Sequence, residues 1–396
     1  MSPANKPILP RMHRIHQTIS WLFLLLFVVL LFLPMAGKFS GMDTAIVVAE
    51  VKSEPLPPLT AHPASWGVFF DGLRRQYLDR HYGFRDLLIS WNNYLDMFVL
   101  LSASPSSRVL VGKDKWLFLT TDSAGRNILL DAKYPNPLSE TKLAILAKEL
   151  ERRRKWLAAR GIRYLVVLTP NKNTIYPEKL PRSLQPEDPG RQLQELTGYL
   201  RTHTQVDLVD VTPTLLKHKK TEDVFFASDS HWNPNGAFAG YREILKSLRR
   251  DFPAIVPLRR KQFRTEFYRD CAGDLATMTG LADHFKEDRL WFVNMDWYKA
   301  RGATYEGPME NWFLTMPQYS VTDDPALPRA LVLHDSYWWE MLPFIAESFR
   351  QALYIWALPP TEHHFRRFDT ALVERFKPDV VIEEFAERYV MLSARE

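Results

Sequence analysis

The strongest constraint on this chain is an alternation: an amphipathic helix runs into a short apolar strand, and the pair recurs. SETKLAILAKELERRRKWLAARG, from Ser139 to Gly161, reads as a helix that Ser139 can cap and Gly161 can stop. IRYLVVLTP follows directly, a continuous apolar run that ends at Thr169 and Pro170. Such a strand needs cover on both faces, so helix plus strand is half of an α/β unit. Further on come a helix around 192–202, the strand VDLVDVT, and the helix NPNGAFAGYREILKSLRRDF with Pro234 in its first turn. RALVLHDS, QALYIWAL and PDVVIEEFAERYV read as strands, separated by the helices YWWEMLPFIAESFR and DTALVERFK. At least five strands interleaved with helices predict a three-layer α/β fold with a mostly parallel sheet. Its sites should form at the carboxyl ends of the strands. Ahead of this region, residues 66–100 carry apolar residues at helical spacing, and SRVLVGKDKWLFLT reads as a hairpin around GKDK.

The start of the chain is different. Ile19–Ala36 runs 18 residues without a charge, behind Lys6, Arg11 and Arg14. This predicts one N-terminal transmembrane helix with residues 1–18 in the cytoplasm and the rest exported. A cleaved signal peptide is the alternative. Residues 37–65 are Pro-rich and read as a spacer, which leaves 66–396 as the working domain. An exported domain has no direct access to cytosolic ATP or acetyl-CoA.

Composition narrows the partners. The net charge of +5 arises from Lys and Arg scattered among Asp and Glu, with no basic stripe for nucleic acid. A single cysteine, Cys271, excludes an intrachain disulfide and a Cys-based metal site, and reads as a buried small residue. Twelve Trp, 15 Tyr and 24 Phe suit a thick core or a carbohydrate-facing surface. No Gly-rich phosphate loop and no tight metal-ligand spacing is present, so neither a cofactor nor a metal is expected.

Three strand ends carry reactive side chains. Asp229-Ser230-His231-Trp232 places Asp and His two apart in an extended segment, on one face and within reach of each other. Ser336 in LVLHDSYWW sits between a strand and a helix, where a hydroxyl is exposed near backbone N–H groups that can hold an oxyanion. Serine needs a base, and a histidine fixed by a carboxylate provides one, so Asp229, His231 and Ser336 can form a triad. Asn171, Lys172 and Asn173 follow the strand at 162–168. They and the Tyr337 backbone are candidate oxyanion or substrate contacts. Each stretch also has a plain reading: Ser336 as a helix N-cap, DSHWNPNG as a turn before a capped helix.

DSHWNPNGAFAGY resembles the Asp-x-His-Trp-x-x-x-Gly signature of the SGNH-hydrolase-like domain of alginate O-acetyltransferases, whose fold is flavodoxin-like. HYGFRDLLI, LVGKDKWLFL, PNKNTIYPEKLP, GDLATMTGL, VLHDSYWWEMLPFIAESF and KPDVVIEEFAERYV are similar to further segments of that family, in order, over about residues 66–392. The resemblance implies Asp229 and His231 as the acid and base, and Ser336 as the nucleophile. It implies transfer of acetyl groups to an exported polysaccharide in the bacterial periplasm. The acetyl donor would be a multi-pass membrane acyltransferase partner in the inner membrane. His334 departs from the family pattern, which has Gly there. A polysaccharide acetylesterase or deacetylase, and a non-catalytic polymer-binding scaffold, stay open as alternatives, as does the identity of the polymer.

Overall fold

The computed structural model describes residues 9–40, 64–73, 84–100, 108–122, 125–136, 138–293, 298–303, 318–357 and 368–391. Residues 1–8 of the expected tail, 41–63 of the expected spacer, and His363 and His364 lie outside the described residues. The chain divides into two units, residues 1–101 with 279–281, and the remainder.

In the smaller unit, α1 (Leu9–Ser40) is a single helix of 32 residues, followed by α2 (Ala64–Gly72) and α3 (Arg85–Tyr94). The side chains described along α1 are exposed, Trp21 and Phe23 each at 68%. Only part of its side chains is described, and among the described residues no helix is long and apolar enough to cross a membrane. The expected anchor therefore rests on the sequence.

The larger unit begins with the expected hairpin, β1 (Val109–Val111) and β2 (Leu117–Leu119). Its turn takes positive φ at Asp114 and Lys115, not at Gly112. Gly112 serves a different need, because a Cβ there would lie 2.5 Å from the Lys179 carbonyl oxygen. Next come α4 (Glu140–Ala158), β3 (Arg163–Thr169), α5 (Arg191–His203), β4 (Asp207–Asp210), α6 (Thr212–His218) and α7 (Pro234–Leu248). The caps follow the sequence: the Ser139 hydroxyl accepts from the Lys142 N–H, and Gly161 takes φ +69° after α4.

A second hairpin, β5 (Arg264–Cys271) with β6 (Glu287–Val293), was not expected. Most of β5 faces solvent and carries charges, so it lacks the apolar run that marked the inner strands. Cys271 lies at its irregular end, half-buried, with Sγ near the Tyr268 carbonyl. This corrects the reading of Cys271 as a buried small residue. The remaining elements are β7 (Arg301–Gly302), β8 (Gln318–Val321), β9 (Arg329–His334), α8 (Trp338–Ile345), β10 (Gln351–Trp356), α9 (Thr370–Phe376) and β11 (Val380–Ala386).

Seven strands form the central sheet in the order β4-β3-β11-β9-β10-β8-β7. The five strands read from the sequence, β3, β4, β9, β10 and β11, are all parallel. β8 and β7 add antiparallel at one edge, so the expected mostly parallel sheet is a mixed one. Alternate residues of each inner strand enter different cores. Leu165, Val167, Val332 and Ile382 pack with α7 and α8, whereas Val166, Leu168, Leu333 and Val381 pack with α4, α5 and α9. The period-2 alternation of a strand thus fills both outer layers and makes the three-layer fold.

Candidate active site

The strand order decides where a site can form. From β3 the chain moves outward to β4, and from β9 it moves outward the other way to β10, with β11 between. Loops leaving β3 and β9 therefore diverge, and a crevice opens beyond their carboxyl ends. Asn171–Asn173 follow β3, Ser336 follows β9, and Glu387 and Arg388 follow β11.

Asp229 and His231 sit on the loop before α7. The loop is fixed from below by Asn233, whose side-chain oxygen accepts from the Asn235 and Gly236 N–H groups and starts the helix. Gly236 is required here, since a Cβ would meet the Val224 carbonyl oxygen at 2.2 Å. Asp229 Oδ1 lies 2.7 Å from His231 Nδ1 and accepts the His231 N–H at 3.1 Å. Asp229 Oδ2 accepts from Arg289 at 2.9 Å and from the Asp274 N–H at 3.2 Å. Burial opposes ionisation of Asp229, but His231 and Arg289 outweigh it and hold the carboxyl far below the usual range. For His231, burial favours the neutral ring, but the hydrogen bond and charge of Asp229 prevail and raise it above its ordinary value. His231 Nε2 is buried and has no hydrogen-bond partner among the described residues.

Ser336 is half-buried, and neither its hydroxyl nor its N–H makes a hydrogen bond among the described residues. The plain reading of Ser336 as an N-cap does not hold. The residue preceding α8 is Tyr337, and its N–H is taken by Asp335 Oδ1 at 3.0 Å. Two reciprocal bonds join the two halves of the site. Trp232 Nε1 donates to the Tyr337 carbonyl at 2.8 Å, and the Tyr337 hydroxyl donates to the Ser230 carbonyl at 3.2 Å. The residues flanking His231 are thus tied to the residue after Ser336, and the Tyr337 ring lies 5.4 Å from the imidazole. No hydrogen bond joins Ser336 Oγ to His231 Nε2, and neither atom is hydrogen-bonded among the described residues.

The other candidates divide. The Tyr337 N–H is committed to Asp335, which removes it from the oxyanion donors and leaves the Ser336 N–H. Lys172 is not a substrate contact: its buried Nζ donates to the carbonyls of Leu117, Ala227 and Asp229 at 2.7, 2.8 and 2.9 Å. It clamps the Asp229 loop to β2, and burial lowers it to about 7 although four nearby carboxylates oppose this. Asn171 is tied to the segment after β11, its N–H to Glu387 at 2.8 Å and its side-chain oxygen to Arg388 at 3.4 Å. Asn173 is buried, and its amide makes no hydrogen bond among the described residues. His334 points its ring among Trp338, Trp339 and Trp356, with centroids 5.7–6.2 Å away, and its Nδ1 lies 2.8 Å from the Asp335 carbonyl. Trp232 and Trp338 are core residues.

Three charged residues of the site were not singled out from the sequence. Asp274 accepts from the Ser230 N–H at 2.7 Å and hydroxyl at 2.5 Å, and its Oδ2 lies 3.7 Å from His231 Nδ1. Burial, and then the charge of Asp229, raise its carboxyl. Arg289 comes from β6 and lies over the Phe226 ring. Glu340, four residues after Ser336, is pushed up to about 7 by burial, with Arg289 opposing and Asp229 adding. GDLATMTGL was the only signal for Asp274; nothing local marked Arg289. Asp229, His231 and Asp274 offer ligand atoms within 4.8 Å of one another. These atoms are already engaged, Nδ1 with Asp229 and Asp274 with Ser230, so a cation would have to displace the hydrogen bonds that orient the imidazole.

A serine standing free beyond an inner parallel strand, with an Asp-bound histidine delivered by another loop, sets this domain among the SGNH-hydrolase-like α/β proteins. The comparisons agree. The chain belongs to the family described as SGNH hydrolase-like domain, acetyltransferase AlgX, whose model matches residues 109–387. It is 26% identical over 179 residues to the probable alginate O-acetylase AlgJ of Pseudomonas aeruginosa, a match covering 45% of this chain and 43% of that protein. The chain thus aligns with less than half the length of that relative. Among solved structures, a DHHW family protein from Eubacterium siraeum superposes with TM-score 0.51 at 13% identity, covering 72% of this chain and 95% of that one. PatB1 of Bacillus cereus, carrying a sulfonyl adduct, superposes with TM-score 0.50 at 15% identity, covering 73% and 97%. At these identities the likeness is one of fold.

Proposed function

We propose that this chain is an exported, membrane-anchored O-acetyltransferase that acetylates hydroxyls of an exopolysaccharide through Ser336, His231 and Asp229. The observation that carries this reading is the free Nε2 of His231. It is a buried ring nitrogen with no hydrogen-bond partner among the described residues, on an imidazole whose other nitrogen is bound to Asp229 and whose ring lies 5.4 Å from that of Tyr337, the residue after Ser336. Such an arrangement is costly to leave unmade and useful only if something arrives.

In the first half-reaction Ser336 Oγ bonds to the acetyl carbonyl carbon and its proton moves to His231 Nε2. That proton passes to the leaving group as its bond to the acetyl carbon breaks, leaving acetyl-Ser336. In the second, a polymer hydroxyl gives its proton to Nε2 and attacks the acetyl carbon. The ester forms on the polymer and Ser336 recovers the proton. Asp229, held by four donors, keeps the imidazole in one tautomer and stabilises its charged form. The Ser336 N–H is the first oxyanion donor, and Asn173 is the candidate for a second.

An exported domain cannot use acetyl-CoA directly, so the donor is an acyl group relayed by a multi-pass membrane partner. α1 anchors the domain in the inner membrane, facing the periplasm. The 26%-identical relative, by its name, makes an alginate-like polymer the first acceptor to try.

The test is acylation of the full chain by a chromogenic acetyl ester, followed by intact-mass spectrometry. Turnover and an acetyl adduct in the wild type, both lost in Ser336→Ala, are expected. Release of acetate rather than transfer to added polymer would identify an esterase. A folded wild type with neither turnover nor adduct, across several donors, would favour the scaffold.

A further inference from the structure

The β5–β6 hairpin does more than supply Arg289. Its register pairs Tyr268 with Arg289 and Glu266 with Trp291, so Tyr268, Arg289 and Trp291 share one face. The other face is anchored near its end, where Phe292 packs against Phe238, Phe263 and Phe344 in the core. On the shared face Arg289 turns to Asp229, while Tyr268 and Trp291 stay 51% and 38% exposed. Their rings meet edge to face, with centroids 6.2 Å apart and an interplanar angle of 88°.

We propose that Tyr268 and Trp291 form a stacking platform for pyranose rings of the polysaccharide acceptor, leading it to the site at Ser336. The inference rests on the acetyltransferase reading above. Two steps along a strand span about 7 Å, so Trp291 follows Arg289 by roughly the length of one sugar ring. The platform is therefore continuous with the site through Arg289, which stands opposite Tyr268 in the hairpin and donates to Asp229. Large aromatic faces left in water are costly, and they suit the apolar C–H face of a pyranose. The rim is polar and mixed in sign: Arg264 pairs with Glu266, and Arg269 and Asp270 are exposed. Such a rim can hydrogen-bond sugar hydroxyls, whereas an anionic membrane surface would call for a basic one. Two isolated rings are also too small a patch for a stable protein interface.

The test uses the full chain in detergent with Ser336→Ala, which prevents turnover, and measures binding to polymannuronate and to a neutral β-glucan by affinity electrophoresis. One of the two is expected to bind, and adding Tyr268→Ala and Trp291→Ala is expected to weaken it about tenfold. Tyr268→Phe with Trp291→Phe keeps both rings and should retain most of the affinity. Unchanged affinity in the Ala variant, or no binding of either polymer by Ser336→Ala, would overturn the platform. Acylation of the wild type by the chromogenic ester is read separately. If Ser336 is never acylated while binding still depends on the two rings, the acetyltransferase reading fails and the platform stands.

Discussion

Trp232 and Tyr337 hold the two halves of the site together, and removing their bonds should separate stability from chemistry in a measurable way. Trp232→Phe deletes the donor 2.8 Å from the Tyr337 carbonyl and part of a side chain with no exposed surface. The buried carbonyl left unpaired costs about 1–3 kcal/mol. The missing ring, which packs against Gly240, adds roughly 1–2 kcal/mol. Tyr337→Phe removes the longer 3.2 Å bond to the Ser230 carbonyl, which should cost about 0.5–1.5 kcal/mol. Both bonds close one seam, so the double variant should not be additive, with a coupling of about 0.5–3 kcal/mol. On the proposed mechanism the same seam sets the approach of His231 Nε2 to Ser336 Oγ, and a displacement near 1 Å costs on the order of 100-fold in rate. Urea unfolding gives the stabilities, and burst acylation by a chromogenic acetyl ester gives the rates. Additive stabilities, or Trp232→Phe acylating within twofold of the wild type, would refute the claim that this seam positions the nucleophile.

Acylation should require neutral His231, so the rate should rise with pH through a midpoint above the ordinary value, where Asp229 holds the imidazole. Asp229→Asn should move that midpoint down and lower the rate by on the order of 10³–10⁴, read from a pH–rate profile. Lys172 is held below its unfolded value of 10.5, at about 7, so the unfolded chain binds the extra proton and stability should rise with pH between these limits by about 5 kcal/mol. Lys172→Met should lose that slope when urea midpoints at pH 7 and 9 are compared with the wild type. An equal slope in both would mean that the three carbonyls keep the ammonium charged. Asp335→Ala frees the buried N–H groups of Tyr337 and Ala386, and should cost about 2–6 kcal/mol in urea unfolding.

How much of this was legible follows from what leaves a local trace. Strands buried on both faces are largely apolar, so β3, β9, β10 and β11 announced themselves, even though β11 carries the buried, hydrogen-bonded Glu383 and Glu384, and so did the helices between them. β8 and β7 are short and partly exposed, and nothing in QYSV or Arg301-Gly302 says that they extend the sheet antiparallel. Asp229 and His231 were readable because their partnership is two residues long. Asp274, from the connection between β5 and β6, and Arg289, from β6 itself, reach Asp229 from 45 and 60 residues away, and their charges look like ordinary surface in the sequence. Lys172 was misplaced for a related reason. A lysine after a strand end reads as a cation for substrate, and only the fold brings three carbonyls around its ammonium group.

The HDS and DSH tripeptides divide labour between neighbours. Asp335 accepts the Tyr337 N–H with Oδ1 and the Ala386 N–H with Oδ2, and its own N–H donates to Glu384, which in turn takes the Thr169 hydroxyl. These buried carboxylates bolt the ends of β3, β9 and β11 together, and Asp335 takes the N–H of Tyr337 just ahead of α8. Ser336 is thereby released from structural duty. In the other loop Ser230 is consumed by Asp274, and Asp229 takes His231 Nδ1, which leaves Nε2 as the one uncommitted nitrogen. On the proposed mechanism the Ser336 hydroxyl stays available because Asp335 takes the Tyr337 N–H, and Nε2 stays available because Asp229 engages the other ring nitrogen. That is why substituting a neighbour such as Asp335 threatens the chemistry as well as the fold: a Ser336 hydroxyl recruited to cap α8 is no longer available as a nucleophile.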